Sequence, residues 1–181
     1  MKSNLDNWIS RATRYRYSLP VLAELQRDKG CKFVTLFRRL EASDRAMRQA
    51  LDYLMEMGWV ERNTGYGHPS RPEYILMPRA LEIAAECLRI WSELQRWGQT
   101  EVALERWPLP ILHALGDRRR RYGDLLSELP GLTPRALSTG LKRLAEAGLA
   151  ARDILPGSPP QTDYRATPWG IALIGSSQSP A

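Results

Sequence analysis

Cysteine, histidine and phenylalanine are scarce in this chain of 181 residues, with two of each. Cys31 and Cys87 form no disulfide framework, and without a CxxC or a Cys/His cluster there is no structural zinc pattern. His68 and His113 offer no nucleophile–histidine–acid spacing, and no phosphate-cradling glycine loop or metal motif is present. The chain therefore does not read as an enzyme, and no cofactor is expected. No stretch approaches the roughly 18–20 apolar residues of a membrane span, so no membrane partner is expected. The start of the chain also lacks the apolar run of a signal-peptide core, which makes the cytoplasm the expected setting.

What remains is ordinary globular composition, 43% hydrophobic and 25% charged. Lys and Arg exceed Asp and Glu by 26 to 20, a net charge of +6 that modestly favours polyanionic partners.

The chain also repeats itself. Shifted by 90 residues, LPVLAEL at 19–25 falls on LPILHAL at 109–115, Gly58 on Gly148, Tyr74 on Tyr164 and Pro78 on Pro168. Leu36, Arg45, Ala46, Leu51, Leu54, Glu56 and Arg62 land on Leu126, Arg135, Ala136, Leu141, Leu144, Glu146 and Arg152. Phe33 matches Tyr122 once one residue is moved between loops. This register reads as a tandem duplication.

In the second copy Leu109, Leu112 and Leu115 share one helix face, which ends at Gly116-Asp117. Tyr122, Leu125, Leu126 and Leu129 predict a second helix, stopped by Pro130-Gly131. Thr133-Pro134 supplies an N-cap and a proline at the first helical position. The helix it opens turns Leu137, Leu141 and Leu144 inward and closes at Gly148. Strands are expected over 149–154 and 162–166 around a Pro/Gly-rich loop. In the first copy Phe33, Leu36, Phe37 and Leu40 mark the second helix. Ser43 caps a third helix that carries Met47, Leu51 and Leu54, and wing strands are expected at 59–62 and 73–76. Three helices followed by a β-hairpin is the winged helix-turn-helix order. The expected class is mainly α with small β-hairpin wings, as two tandem winged helix-turn-helix domains joined by an amphipathic helix. The boundaries are 1–78 with an N-terminal helix, a connector at 79–105, a second domain at 106–175 and a flexible tail at 176–181.

Several segments of the second copy resemble one family. These are Arg106-Trp107 with the leucine-rich helix after it, Arg121-Tyr122 opening the second helix, residues 132–149, and the wing exit Tyr164-Arg-Ala-Thr-Pro168-Trp-Gly170. They are similar to the HxlR branch of the MarR-like winged-helix regulators, and the first copy fits more loosely. The resemblance implies a DNA-binding transcriptional regulator. Family members usually carry one such domain and dimerise, whereas here two are fused. The sensing cysteine of some relatives lies ahead of the first core helix, where neither Cys31 nor Cys87 stands, so thiol sensing is not carried over.

In a winged helix the third helix enters the major groove. Arg135, Ser138, Thr139, Lys142 and Arg143 are expected on its outer face in the second copy, and Arg45, Arg48, Gln49 and Asp52 in the first. Arginine suits guanine and glutamine suits adenine. Arg118, Arg119, Arg120 and Arg121 form the densest basic run, and four adjacent like charges call for an anion such as a phosphate backbone. Arg62, His68 and Arg71 make the first wing the better DNA candidate. Residues 79–97 predict an amphipathic helix with Leu81, Ala84, Ala85, Leu88, Trp91 and Leu94 on one stripe. Trp8, Leu81, Leu88, Trp91 and Leu94 are the expected interdomain or dimer contacts. They would either hold the copies as a pseudo-dimer within one chain or form a homodimer.

The expected partner is double-stranded DNA, with a repressor as the leading form. The alternatives are a DNA-binding protein of plasmid replication or segregation, and a protein-interaction scaffold. A small-molecule pocket between the halves is conceivable, but no polar constellation in the sequence names an effector.

Overall fold

The computed structural model describes residues 8–65, 72–156 and 161–175. A short helix α1 (Trp8–Ala12) precedes α2 (Ser18–Asp28), α3 (Phe33–Arg39) and α4 (Asp44–Glu56), then the strands β1 (Val60–Arg62) and β2 (Tyr74–Leu76). A 3-10 turn (Pro78–Ala80) leads into the long α5 (Leu81–Arg96) and the short α6 (Glu101–Leu104). The second half runs α7 (Pro108–Leu115), β3 (Arg120–Arg121), α8 (Tyr122–Glu128), α9 (Pro134–Glu146), β4 (Ala150–Leu155), β5 (Gln161–Ala166) and α10 (Pro168–Ile174). The fold is mainly helical with small antiparallel sheets, β1–β2 in the first half and β3–β5–β4 in the second.

The third helix of each half is bounded by the residues that the sequence nominates. Ser43 Oγ accepts from the Ala46 N–H at 3.3 Å, and Thr133 Oγ1 accepts from the Ala136 N–H at 3.2 Å. At the far ends Gly58 (φ 63°) and Gly148 (φ 69°) take the left-handed conformation. The chain then turns back so that the Trp59 and Leu149 N–H groups donate to Leu54 and Leu144, at 2.9 and 2.8 Å. Across 41–54 and 131–144 the succession of buried, half-buried and exposed positions is identical. Met47, Ala50, Leu51 and Leu54 point inward in α4, as Leu137, Gly140, Leu141 and Leu144 do in α9.

β3 was not expected from the sequence. Arg120 and Arg121 pair with Tyr164 and Asp163 as a third strand, and in the first half a single bridge, Cys31 to Tyr74, occupies that place. Cys31 and Arg120 lie 89 residues apart, the same one-residue adjustment that relates Phe33 to Tyr122. α10 was also missed. Its opening Thr167-Pro168 repeats the signal of Thr133-Pro134, and Thr167 Oγ1 accepts from the Gly170 N–H at 3.2 Å.

The halves are interleaved. α5 packs along α2, while α1 crosses to α7 and α6 crosses to α2. Thr13 Oγ1 donates at 2.9 Å to both the Ile9 and the Arg106 carbonyls. Trp8 and Ile9 are 4% and 2% exposed, and each such burial contributes about 2 kcal/mol. A five-residue helix does not persist on propensity, so this packing holds α1 in place. α10 rests on α5 and α7, with the Trp169 ring edge-on to Trp97 at 5.3 Å.

One expectation for the connector is corrected. Leu81 is 47% exposed, and the buried stripe of α5 is Ile83, Ala84, Cys87, Ile90, Trp91 and Leu94. The 3-10 turn at Pro78–Ala80 buries Ala80, and this sets the phase that carries Ile83, Ala84 and Cys87 inward at i+3, i+4 and i+7. Leu88 is half-buried beside this stripe.

Two glycines of the second half sit where the first half has Ala50 and Ala80. A Cβ on Gly170 falls 2.1 Å from the Leu149 carbonyl oxygen, which is rigid backbone. A Cβ on Gly140 falls 2.4 Å from Ile111 Cδ1, the far end of a flexible side chain. In urea unfolding Gly170→Ala should cost about 3 kcal/mol and Gly140→Ala less than about 1 kcal/mol. Equal losses would contradict this packing.

Candidate nucleic-acid interface

The outer face of α4 exposes Arg45, Arg48, Gln49 and Asp52. Arg48 is held by Asp44 through two hydrogen bonds, 2.8 and 3.1 Å, and its guanidinium stands 4.8 Å from the centre of the Phe33 ring. Among the described residues Arg45 has no ion pair. The outer face of α9 exposes Arg135, Ser138, Thr139 and Lys142. The Tyr122 hydroxyl donates to the Pro134 carbonyl at 2.6 Å and lies 2.9 Å from Ser138 Oγ, which fixes the start of α9 against α8. Lys142 lies 3.8 Å from Glu146.

Arg143 departs from the expected outward array. It is half-buried and bonds Glu105 at 2.7 Å, with Glu146 at 3.6 Å. Three residues beyond Gly140, it lies at the edge of the inward stripe and faces the segment ahead of α7. Its role in the structure is to fasten α9 to that segment.

The 118–121 run also differs from four bare cations. Arg119 pairs with Asp153 at 3.2 Å, Arg120 pairs with Glu128, and Arg121 donates to Gln161 at 2.7 Å. Strand pairing turns Arg120 toward the protein, so the chain supplies carboxylates of its own there. Among the described residues Arg118, whose side chain is 81% exposed, has only the similarly exposed Asp117 at 3.8 Å as an ion-pair partner. On the first wing Arg62 pairs with Glu73 at 2.9 Å, while His68 and Arg71 lie outside the described residues.

Three adjoining hollows connect the two outer faces. One is lined by Arg45, Arg48 and Gln49, by the carboxylates Asp44, Asp52 and Glu56, and by Tyr15 and Tyr53. The next holds Arg11, Arg14, Tyr53, Arg106 and Trp107. The last holds Arg106, Trp107, Arg135 and Thr139. The first and second share Tyr53, the second and third share Arg106 and Trp107, and each has arginines in its lining. Arg11, Arg14 and Arg106 are the polar convergence that the sequence did not disclose. Arg106 is far in the chain from Arg11 and Arg14, and the crossing of α1 onto α7 brings it to them.

Among the described residues no group of His, Cys, Asp and Glu is arranged to hold a metal ion, and no helix is long and apolar enough to cross a membrane. Cys31 is buried, with its thiol 3.6 Å from Asp28 Oδ2. Burial first, and the Asp28 carboxylate second, push its pKa up to about 12. Cys87 is fully buried, and burial raises its pKa too. Iodoacetamide should therefore label neither cysteine of the native protein at pH 8 and both after unfolding. Rapid labelling of the native chain would contradict these environments.

The HxlR-like helix-turn-helix family profile matches residues 102–178. The chain is similar to the HTH-type transcriptional regulator YvaP of Bacillus subtilis, 33% identical over 73 residues, which cover 40% of this chain and 68% of that protein. It is 35% identical over 65 residues to an HTH-type transcriptional regulator of Synechocystis, covering 36% of this chain and about half (48%) of that one. A solved MarR-family regulator from Porphyromonas gingivalis shares 28% identity, with a TM-score of 0.39, over 47% of this chain and 78% of its own. With its second half carrying the match, the chain belongs to the HxlR-like helix-turn-helix family.

Proposed function

We propose that the chain is a DNA-binding transcriptional regulator, with repression as its mode, in which two tandemly duplicated winged helices act as a pseudo-dimer within one polypeptide. The first winged helix ends near residue 78, the connector covers 79–105, and the second spans 106–175. One observation carries the proposal. α4 and α9 bury the same pattern of positions and turn Arg45, Arg48, Gln49 and Arg135, Ser138, Thr139 outward at matching places.

Arg45, Gln49, Arg135, Ser138 and Thr139 are the side chains assigned to base edges, because they are exposed on the outer faces. Lys142, Arg48 and Arg118 suit phosphates, adding affinity without sequence choice. The reciprocal crossing of α1 and α6 supports the pseudo-dimer over a homodimer. It uses within one chain the terminal-helix surface that a single-domain protein has available for a second copy. No effector is assigned by this reading.

Binding of genomic fragments across a range of salt concentrations tests the proposal. Enrichment of one site is expected, with a slope of log K against log salt of about −4 or steeper. Arg45→Ala combined with Arg135→Ala should lower affinity for that site by about a hundredfold while leaving weak non-specific binding. Absence of binding at low salt, or undiminished site preference in the double variant, would overturn the proposal.

A further inference from the structure

The crossings of α1 and α6 create two positions related by the 90-residue register, and the two hold opposite chemistry. On one side Arg16 pairs with Glu101 at 3.2 Å and Arg143 with Glu105 at 2.7 Å, so the chain supplies a counter-ion to each guanidinium. On the other side the register places Arg106 for Arg16, Arg11 for Glu101, Arg14 for Leu104, Tyr15 for Glu105 and Tyr53 for Arg143. The ion pair of Arg143 and Glu105 becomes an edge contact of Tyr15 and Tyr53, with ring centroids 5.0 Å apart. In place of the pairing of Arg16 with Glu101, Arg106 and Arg11 line one hollow.

Arg11, Arg14 and Arg106 line one hollow of about 260 Å³, with Ser10, Tyr53 and Trp107. Among the described residues no carboxylate pairs with Arg14 or Arg106, and the Arg106 guanidinium stands 4.6 Å from the centre of the Trp107 ring. Burial, and then the positive charge of Arg14, lower the pKa of Arg106. Its counterpart Arg16 is raised, first by Tyr17 and, against a burial cost, by Glu101. Like charges gathered in a concave site are relieved by an anion. A lone phosphate needs no such volume. The hollow is slightly smaller than the roughly 300–1,000 Å³ of pockets for drug-sized ligands. Trp107 and Tyr53 offer ring surfaces, and Leu129 and Pro130 complete an apolar wall.

We infer that this hollow binds a small organic anion, a carboxylate or phosphate ester on a flat apolar body. We further infer that its occupation reaches both DNA-facing helices, because Tyr53 belongs to α4 and Arg106-Trp107 also line the hollow against α9. The coupling rests on the DNA-binding proposal; the site itself does not.

Calorimetric titration of the full chain with phenyl phosphate and with inorganic phosphate, without DNA, tests the site. Saturable binding of phenyl phosphate is expected, about tenfold tighter than inorganic phosphate. Arg14→Gln, at an exposed position, should weaken it about tenfold. Arg11→Glu places a carboxylate on the lining of the hollow, as Glu101 stands beside Arg16 on the other side, and should abolish binding. Failure to saturate by about 10 mM, or unchanged affinity in Arg14→Gln, overturns the site.

A second arm adds the enriched DNA fragment, for which phenyl phosphate at saturation should change Kd at least about threefold. An unchanged Kd overturns the coupling. Phenyl phosphate binding by a chain that binds no DNA would sustain the site and defeat the DNA proposal. DNA binding weakened by Arg14→Gln, in a chain that binds no phenyl phosphate, would assign these arginines to DNA phosphates and overturn the small-anion site.

Discussion

The crossing of short helices between the two halves is the constraint on which the rest of the structure depends. α1 is too short to be stable alone, yet it buries Trp8, Ile9 and Ala12 against the opposite half. α6 does the same for the other half with Val102 and Ala103. α5 fills the space between them, laying Ile83, Cys87, Ile90 and Leu94 along α2. With these contacts made, α4 and α9 are held in a fixed relation by packing rather than by a tether. A rigid relation matters for DNA, because two recognition helices act together only when their spacing matches the groove repeat of about 34 Å.

Positions 90 residues apart differ in chemistry where the halves meet, although the helices that carry them correspond. Glu24 is buried in α2 and bonded by Arg27 and Arg39, whereas the matching position in α7 is Ala114. Gly140 and Gly170 permit close approach in the second half, where the first half carries Ala50 and Ala80. Glu101 and Glu105 neutralise arginines on one side of the crossing, and Arg11 and Tyr15 stand on the other. The core positions match while those of the seam do not, so the two sides of the molecule are unequal in charge.

Much of this was legible in the sequence, and the misses have physical causes. The caps Ser43 and Thr133, the glycine exits Gly58 and Gly148, and the inward leucines of α4 and α9 follow from local rules. Leu81 misled because hydrophobicity alone does not set helix phase; the preceding 3-10 turn does. β3 escaped notice because two residues have no period. Arg119, Arg120 and Arg121 looked bare because Asp153, Glu128 and Gln161 lie elsewhere in the chain. Arg143 looked outward because Glu105 is distant in sequence. Arg14 and Arg106 gave no local signal, since their proximity is a product of tertiary crossing.

If one chain supplies both α4 and α9 to one DNA site, native mass spectrometry of the chain on its enriched fragment, combined with a footprint of the same complex, should show it. One chain per site is expected, protecting two half-sites about 10 base pairs apart centre to centre. Two chains per site, or protection of a single half-site by one chain, would contradict it.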